Sequence, residues 1–270
     1  MPRLDRTVGM RNKVETKLKK CKKGGKTTIF LLVDSENFNS TSSVEKMAKD
    51  LFNATKNMKD FYPIILVGGS SATDQMGMDK AVRILRRKTK LDIVLFPGNI
   101  TGVVPKAHAI LFSCLMNSEN PYYITQAQAL GAPLVRKMKL EALPTAYLII
   151  GEGTSAWFFG NARGIPFDKP KIAAAYAMAA QYMGMRFVYL EAGSGAKQNV
   201  TPEMVQTVRA VFDGFIMVGG GIRSAKTASS LIKAGADGLV IGTLLEQTGG
   251  LKNSQKWSNP SENKLLLGAS

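Results

Sequence analysis

The sequence predicts an α/β fold, a single (β/α)8 TIM-type barrel with a shortened or missing third helix. Eight short apolar runs recur along the chain and end in glycine or a small polar residue. Helix-like segments separate most of these runs. Continuous apolar runs are typical of parallel strands covered on both faces, and a set of eight favours closure into a barrel.

The predicted strands and helices alternate along the chain. The strands are residues 30–34, 63–69, 92–98, 109–114, 146–153, 187–193, 215–221 and 238–243. The helices between them are residues 43–57, 78–90, 121–133, 169–184, 201–212 and 224–236. One connection departs from this pattern, because NITGVVPKAH (99–108) is about as short as a βαβ crossover can be. We therefore expect a thinly covered flank there, with a lateral opening that admits an apolar substrate.

Length and composition suit one barrel domain. The chain has 270 residues, of which 45% are hydrophobic. We divide it into a basic N-terminal leader or helix (1–26), the barrel (27–250) and a C-terminal tail (251–270). Its two cysteines, Cys21 and Cys114, favour a reducing compartment. No apolar stretch reaches the roughly 20 residues of a membrane span, so we expect a cytoplasmic protein.

Positive charge is concentrated at the N-terminus. The net charge is +16, and residues 1–30 contain ten Lys and Arg against two acidic residues. One interpretation is a solvated helix, KVETKLKKCKKGG, that ends at two glycines. The other is a surface for nucleic acid or for an anionic membrane. No recognised nucleic-acid motif accompanies the charge, so nucleic acid is not an expected partner, whereas peripheral contact with a membrane stays open.

Glycines end the last two predicted strands, in GFIMVGGGIRS (214–224) and GLVIGT (238–243). Catalytic groups of (β/α)8 barrels lie at the carboxyl ends of the strands, and phosphate often binds after strands 7 and 8. Gly220, Gly221, Gly242 and Thr243 would let backbone amides approach a phosphate, and a following helix would point its positive end at it. Tight turns alone are the alternative. The pair of motifs predicts a phosphate-bearing substrate.

Asp34 ends the first strand after four apolar residues, where a carboxylate needs water, a cation or a hydrogen-bond donor. A magnesium ion bridged to substrate phosphates satisfies this need, and Ser70 at the end of the second strand could add a hydroxyl. Alternatively, Asp34 caps the helix that begins near residue 43.

Glu191 lies between an apolar Leu190 and a glycine turn in YLEAGSGA. A poorly hydrated carboxylate has the raised basicity that a general base requires. Tyr189 lies two residues earlier, on the same face of the strand. A structural glutamate whose hydrogen bonds are satisfied is the alternative.

Several of these segments together resemble the geranylgeranylglyceryl phosphate synthases of archaea and the related heptaprenylglyceryl phosphate synthases of bacteria. The segments are FLLVD, LVGGS, LFPGN, LFSCLMNSENPYYITQAQ, YLEAGSGA and VGGGIRSAKTA. The resemblance implies a Mg2+-dependent prenyltransferase of ether-lipid biosynthesis. In that reaction the 3-hydroxyl of sn-glycerol 1-phosphate attacks C1 of geranylgeranyl diphosphate, and diphosphate leaves.

The resemblance also implies site residues. The magnesium ligands fall on Asp34 and Ser70, Glu191 takes the role of the base, and Tyr189 joins it in catalysis. The glycerol phosphate site falls on Tyr189, Leu190, Glu191, Ala192, Gly193, Ser194, Gly195, Gly220, Gly221, Gly242 and Thr243. Arg223 supports the phosphate as a planar donor, or else forms an ion pair at a helix start.

Three aromatic residues, Trp157, Phe158 and Phe159, either wall the prenyl groove or simply pack. The thin flank at 99–108 suggests a partner surface, so we expect a homo-oligomer.

Two other functions stay open. One is a (β/α)8 isomerase or lyase acting on another sugar phosphate, which would not need a prenyl channel. The other is a basic nucleic-acid-binding protein.

Overall fold

The computed structural model describes residues 13–34, 40–56, 58–69 and 75–242, and in it eight parallel strands close into a barrel in chain order. The predicted fold class is therefore confirmed. The strands are β1 (Thr27–Asp34), β2 (Phe61–Gly69), β3 (Asp92–Pro97), β4 (Ala109–Leu115), β5 (Glu141–Ile149), β6 (Phe187–Glu191), β7 (Phe215–Gly219) and β8 (Gly238–Ile241).

Helices surround this sheet, and each segment predicted as helical overlaps one of them. The helices are α1 (Lys13–Lys23), α2 (Thr41–Thr55), α3 (Gln75–Thr89), α4 (Ala127–Lys137), α5 (Ser155–Phe159), α6 (Pro170–Tyr182), α7 (Pro202–Arg209) and α8 (Ala225–Lys233). A π-helical turn, Tyr122–Gln126, leads directly into α4. The short α5 was not predicted. None of the helices in the described ranges is long and apolar enough to cross a membrane.

The flank between β3 and β4 is thin, as predicted. Only a 3-10 turn, Ile100–Gly102, occupies this connection, where a barrel normally has a helix. β3 and β4 pair at two positions alone, Val94 with Ala109 and Leu95 with Ile110. The two strands therefore separate above these pairs, toward the carboxyl end of the barrel.

Side chains alternate between the barrel interior and the layer beneath the helices, as the two-residue period of a strand requires. Phe30 of β1 and Phe187 and Tyr189 of β6 belong to the interior cluster. Val33 and Leu190 belong to the outer cluster, which the helices cover. This alternation directs the side chains of the last residues of β1 and β6 into the mouth of the barrel.

α1 lies across the opposite end, against the amino-terminal ends of the strands. Val14 and Leu18 are buried in the interior cluster. The Glu141 carboxylate at the start of β5 accepts hydrogen bonds from the backbone N–H groups of Val14 (2.8 Å) and Glu15 (2.9 Å). The helix is thus present, but the interpretation of it as merely solvated is wrong, because one face closes the bottom of the barrel.

The lysines of α1 contribute to this closure. Lys17 lies 2.6 Å from a carboxylate oxygen of Asp92, and Lys22 lies 3.4 Å from one of Asp237. Residues 1–12 of the predicted leader and the predicted tail, 251–270, lie outside the described residues.

Candidate active site

One cavity at the carboxyl-terminal mouth of the barrel brings together most of the predicted site residues. Its volume is about 300 Å³. The predicted residues that line it are Asp34, Tyr189, Glu191, Ser194, Gly220, Gly221, Arg223 and Gly242. Two others, Ser70 and Thr243, lie outside the described residues.

The same cavity continues sideways as an apolar groove through the gap between β3 and β4. Its walls come from the 3-10 turn, β4 and α4, and the lining residues include Ile100, Val103, Ile110, Phe112, Gly131 and Val135. β3 and β4 separate after two paired positions, so backbone hydrogen bonds do not close the sheet there and side chains line the opening. The predicted lateral opening is therefore present.

Glu191 is the central polar group of the cavity. It is 7% exposed, and both of its carboxylate oxygens accept a hydrogen bond. The Tyr189 hydroxyl donates to Oε2, and the backbone N–H of Gly193 donates to Oε1 at 2.6 Å. Burial raises the pKa of the Glu191 carboxyl, while these two hydrogen bonds lower it in part. The group is well held and more basic than an exposed glutamate.

Tyr189 is fully buried beside this carboxylate. Burial and the Glu191 charge raise the pKa of its phenol well above the ordinary value. The hydroxyl therefore stays protonated and remains a donor to Glu191. A proton acceptor with a fixed orientation results, as general base catalysis requires.

The glycines at the end of β7 make room for this pair. A Cβ on Gly219 would lie 2.5 Å from Glu191 Oε2, and a Cβ on Gly220 would lie 2.6 Å from the Gly193 nitrogen. Gly220 and Gly221 also adopt positive φ values of 82° and 69°, which favour glycine. Their lack of side chains thus serves the carboxylate as well as the predicted approach of a phosphate.

The predicted phosphate site has the expected local structure. Gly220, Gly221 and Gly242 line the cavity, and α8 begins shortly after Gly221. Ser224 caps α8, since its hydroxyl accepts the Thr227 N–H at 3.1 Å. The positive end of a helix and glycine backbone that an anion can approach closely together favour an anion here.

Arg223 lies at the rim of the same cavity. Its Nη2 donates to the carbonyl oxygens of Gly195 (3.2 Å) and Ala196 (3.0 Å). None of the ion pairs among the described residues includes Arg223, so the alternative of an ion pair at the helix start is not supported. Arg223 instead ties the loop after β6 to the loop after β7.

Asp34 ends β1 and faces the cavity, where it pairs in register with Gly68 of β2. Its alternative role as a helix cap is wrong. Ser40 caps α2, because its hydroxyl accepts the Ser43 N–H and the Ser43 hydroxyl accepts in return from the Ser40 N–H.

Four predicted substrate-binding residues do not line the cavity. The side chains of Leu190 and Ala192 pack in the outer cluster beneath the helices, because strand alternation turns them away from Tyr189 and Glu191. The Gly193 N–H is engaged by Glu191, and the Gly195 carbonyl by Arg223. These residues shape the site, and any substrate contact from Leu190 or Ala192 would have to come from the backbone.

Two aromatic residues of the cavity wall were missed. Phe96 of β3 and Tyr147 of β5 line the cavity, with their ring centroids 5.2 Å apart. Strand alternation could have predicted that both face inward. Phe96 lies two residues after the inward Val94, and Tyr147 lies two residues before Ile149. Of the three aromatics proposed for the groove, Phe159 lines the cavity, Trp157 packs on a small cluster beside it, and Phe158 is 70% exposed.

The fold and the site together define a (β/α)8 barrel whose mouth places a buried carboxylate, a glycine turn before a helix and an apolar groove in one cavity. The chain belongs to the PcrB family, whose model matches residues 29–256. It is 63% identical over 245 residues to the geranylgeranylglyceryl phosphate synthase of Nitrosopumilus maritimus (strain SCM1), which covers 91% of this chain and 95% of that relative.

Two further comparisons agree. The chain is 57% identical to the geranylgeranylglyceryl phosphate synthase of Cenarchaeum symbiosum (strain A), over 88% of this chain and 94% of the relative. The crystal structure of (S)-3-O-geranylgeranylglyceryl phosphate synthase from Thermoplasma acidophilum, in complex with the substrate sn-glycerol-1-phosphate, superposes with a TM-score of 0.81. It is 35% identical and covers 89% of this chain and 94% of that one. The resemblance stated from the sequence motifs is confirmed.

The hydrogen bond from Tyr189 should tune the acidity of Glu191. Tyr189→Phe removes a donor that favours the carboxylate, so we expect the pKa of Glu191, already raised by burial, to rise further. Protonation should then occur at higher pH than in the unaltered chain. An infrared titration of the protonated carboxyl stretch measures this, with the spectrum of Glu191→Gln subtracted to isolate the band. Tyr182→Phe, which alters a phenol that is 84% exposed, is the matched control. An unchanged titration in Tyr189→Phe would contradict the assignment.

Proposed function

We propose that this chain transfers a geranylgeranyl group from geranylgeranyl diphosphate to the 3-hydroxyl of sn-glycerol 1-phosphate and releases diphosphate. The product carries the first ether bond of archaeal membrane lipids. The observation that carries the proposal is a single cavity in which Glu191, the late glycine site and an apolar groove meet. The names of the relatives, and the substrate bound in the Thermoplasma structure, support the same reaction.

The glycerol phosphate lies on the β7 and β8 side of the cavity. Its phosphate faces the amides of Gly220 and Gly221 and the start of α8, where a helix end favours negative charge. From there the glycerol hydroxyl extends toward Glu191. The prenyl chain occupies the groove between β3 and β4, whose apolar lining continues from the same cavity. C1 of the prenyl group thereby comes to the junction of the two sites.

Glu191 accepts the proton of the attacking hydroxyl. As the glycerol oxygen forms its bond to C1, the bond from C1 to the diphosphate oxygen breaks and its electron pair leaves with diphosphate. The raised pKa of Glu191 makes it a better acceptor than an exposed carboxylate. Its charge also favours the positive character that develops on the allylic carbons. Tyr189 and Gly193 hold the carboxylate in place throughout.

Asp34 is the residue that would hold a Mg2+ ion in this reaction. In the described part of the chain, no group of three or more His, Cys, Asp or Glu side chains could hold a metal. One carboxylate that faces the cavity matches the way Mg2+ is commonly bound, with water and phosphate oxygens in its other positions. When bound, Mg2+ supplies positive charge to the diphosphate leaving group. Ser70, as a second ligand, stays a prediction.

Other expectations also stay predictions. These are the length of the prenyl chain, a homo-oligomer, peripheral contact with the membrane and a cytoplasmic location. The two rival functions have less support. An isomerase or lyase of a sugar phosphate would not need the apolar groove. Against a nucleic-acid-binding protein, two lysines of α1, Lys17 and Lys22, lie against carboxylates at the amino-terminal end of the barrel.

Incubation with Mg2+, labelled sn-glycerol 1-phosphate and prenyl diphosphates of several lengths tests the proposal. We expect label to enter a lipid-soluble product, with the geranylgeranyl donor preferred. A deletion of residues 1–12 is a useful comparison, since the described site contains none of them. No lipid-soluble label with any donor would contradict the proposal and favour the isomerase.

Asp34→Asn tests the magnesium site. Loss of the carboxylate should raise the Mg2+ concentration that gives half-maximal rate by about tenfold or more, because a neutral amide oxygen binds the ion less strongly. A Mg2+ titration of the transfer rate measures this. Asp168→Asn is the matched control, since the side chain of Asp168 is 75% exposed and does not line the cavity. An unchanged Mg2+ requirement in Asp34→Asn would rule out this ligand.

A further inference from the structure

Three aromatic rings form a continuous wall at the junction of the glycerol phosphate site and the groove. They come from β3, β5 and β6 and belong to Phe96, Tyr147 and Tyr189. The Tyr147 centroid lies 5.2 Å from that of Phe96, with the planes at 86°, and 5.2 Å from that of Tyr189, with the planes at 39°. Phe96 and Tyr189 are 5.5 Å apart.

Tyr147 contacts both other rings of this wall. It pairs in register with Tyr189 on one side and with Leu115 of β4 on the other. Its ring packs both on the interior cluster and on the small cluster that contains Leu115. Unlike Tyr189, which is fully buried, it keeps a partly exposed surface in the cavity.

Tyr147 lies beside both parts of the cavity that the proposed reaction connects, the carboxylate and the groove. Its neighbour Tyr189 donates to Glu191, which takes the hydroxyl proton. Its other neighbour, Phe96, begins the apolar side of the cavity. A prenyl group whose tail lies in the groove and whose C1 approaches Glu191 has to pass over this wall. Positive charge would then develop on its allylic carbons, within a cavity whose lining is mostly apolar.

We propose that Tyr147 is a further catalytic residue, whose ring face stabilises the positive charge on the allylic carbons as diphosphate departs. The face of an aromatic ring carries negative electrostatic potential and attracts a cation, more strongly where water is excluded. The electron pair of the broken bond stays with diphosphate, and the ring takes no part in bond formation. The ring planes of Tyr147 and Tyr189 are inclined at 39°, so the two rings are not stacked face to face.

This inference rests on the proposed function, and the experiment separates the two. With the full chain, Mg2+, sn-glycerol 1-phosphate and geranylgeranyl diphosphate, Tyr147→Phe should keep a single-turnover rate within about threefold, because it keeps the ring. Tyr147→Leu, which keeps an apolar side chain but removes the ring, should lower that rate by about 10- to 30-fold with KM little changed. Tyr182→Leu, on the surface of α6, should leave the rate unchanged.

A second series distinguishes electrostatic stabilisation from packing, and still informs if Tyr147→Leu folds poorly. Phenylalanines with increasing numbers of ring fluorines, placed at position 147, should lower the single-turnover rate stepwise, because fluorine withdraws electron density from the ring face. The same substitutions at Phe215, which packs in the barrel interior against Phe30 and Phe187, are the matched control and should have no such trend.

Two results would overturn the inference alone: a rate that does not depend on fluorination at position 147, or Tyr147→Phe as slow as Tyr147→Leu, which would assign the effect to the hydroxyl. Absence of any prenyl transfer by the unaltered chain would overturn the proposed function and this inference with it.

Discussion

The active end of this barrel depends on one buried carboxylate. Glu191 has little contact with water, and such a group is costly unless donors satisfy it. Tyr189 and the Gly193 amide supply those donors, one to each oxygen. Gly219 and Gly220 supply the space, since a methyl group on either would overlap the atoms of this arrangement. A neighbouring strand thus has to end in glycines for the carboxylate to be held at all.

The two ends of the barrel have different tasks. At the amino-terminal end, α1 closes the barrel with Val14 and Leu18, and Glu141 holds the start of that helix. At the carboxyl-terminal end, the strands present Asp34, Glu191 and the late glycines to one cavity. The gap between β3 and β4 then gives the cavity an apolar exit that a complete ring of helices would have covered. Charged and apolar parts of a substrate can therefore bind side by side.

The sequence alone was sufficient to predict the fold and much of the site. Each strand appears as an apolar run, and a carboxylate or glycine directly after such a run marks the end of the strand. Asp34, Glu191 and Gly220 all follow apolar runs and all reach the cavity. Leu190 and Ala192 were assigned by a contiguous motif, and the two-residue period of β6 turns their side chains away. The motif indicates which segment forms the site, whereas the two-residue period decides which of its side chains face the cavity.

Other differences have similar physical causes. β5 begins at Glu141, earlier than predicted, since its first half contains Pro144 and a charged residue that serves α1 and not the strand pattern. The buried face of α1 was not predicted, because its buried apolar residues, Val14 and Leu18, stand among many lysines in the sequence. Alternation along β3 and β5 places Phe96 and Tyr147 on the inward face of the barrel but does not distinguish them from ordinary core residues. Only closure of the barrel brings them together beside Tyr189.

The most direct test of this account is the single-turnover rate of prenyl transfer by Glu191→Gln at saturating sn-glycerol 1-phosphate. The amide keeps the size of the side chain but cannot take the hydroxyl proton. The account predicts a loss of about 100-fold or more, with binding of sn-glycerol 1-phosphate little changed. Transfer at the rate of the unaltered chain would contradict it, because the buried carboxylate would then not be the proton acceptor.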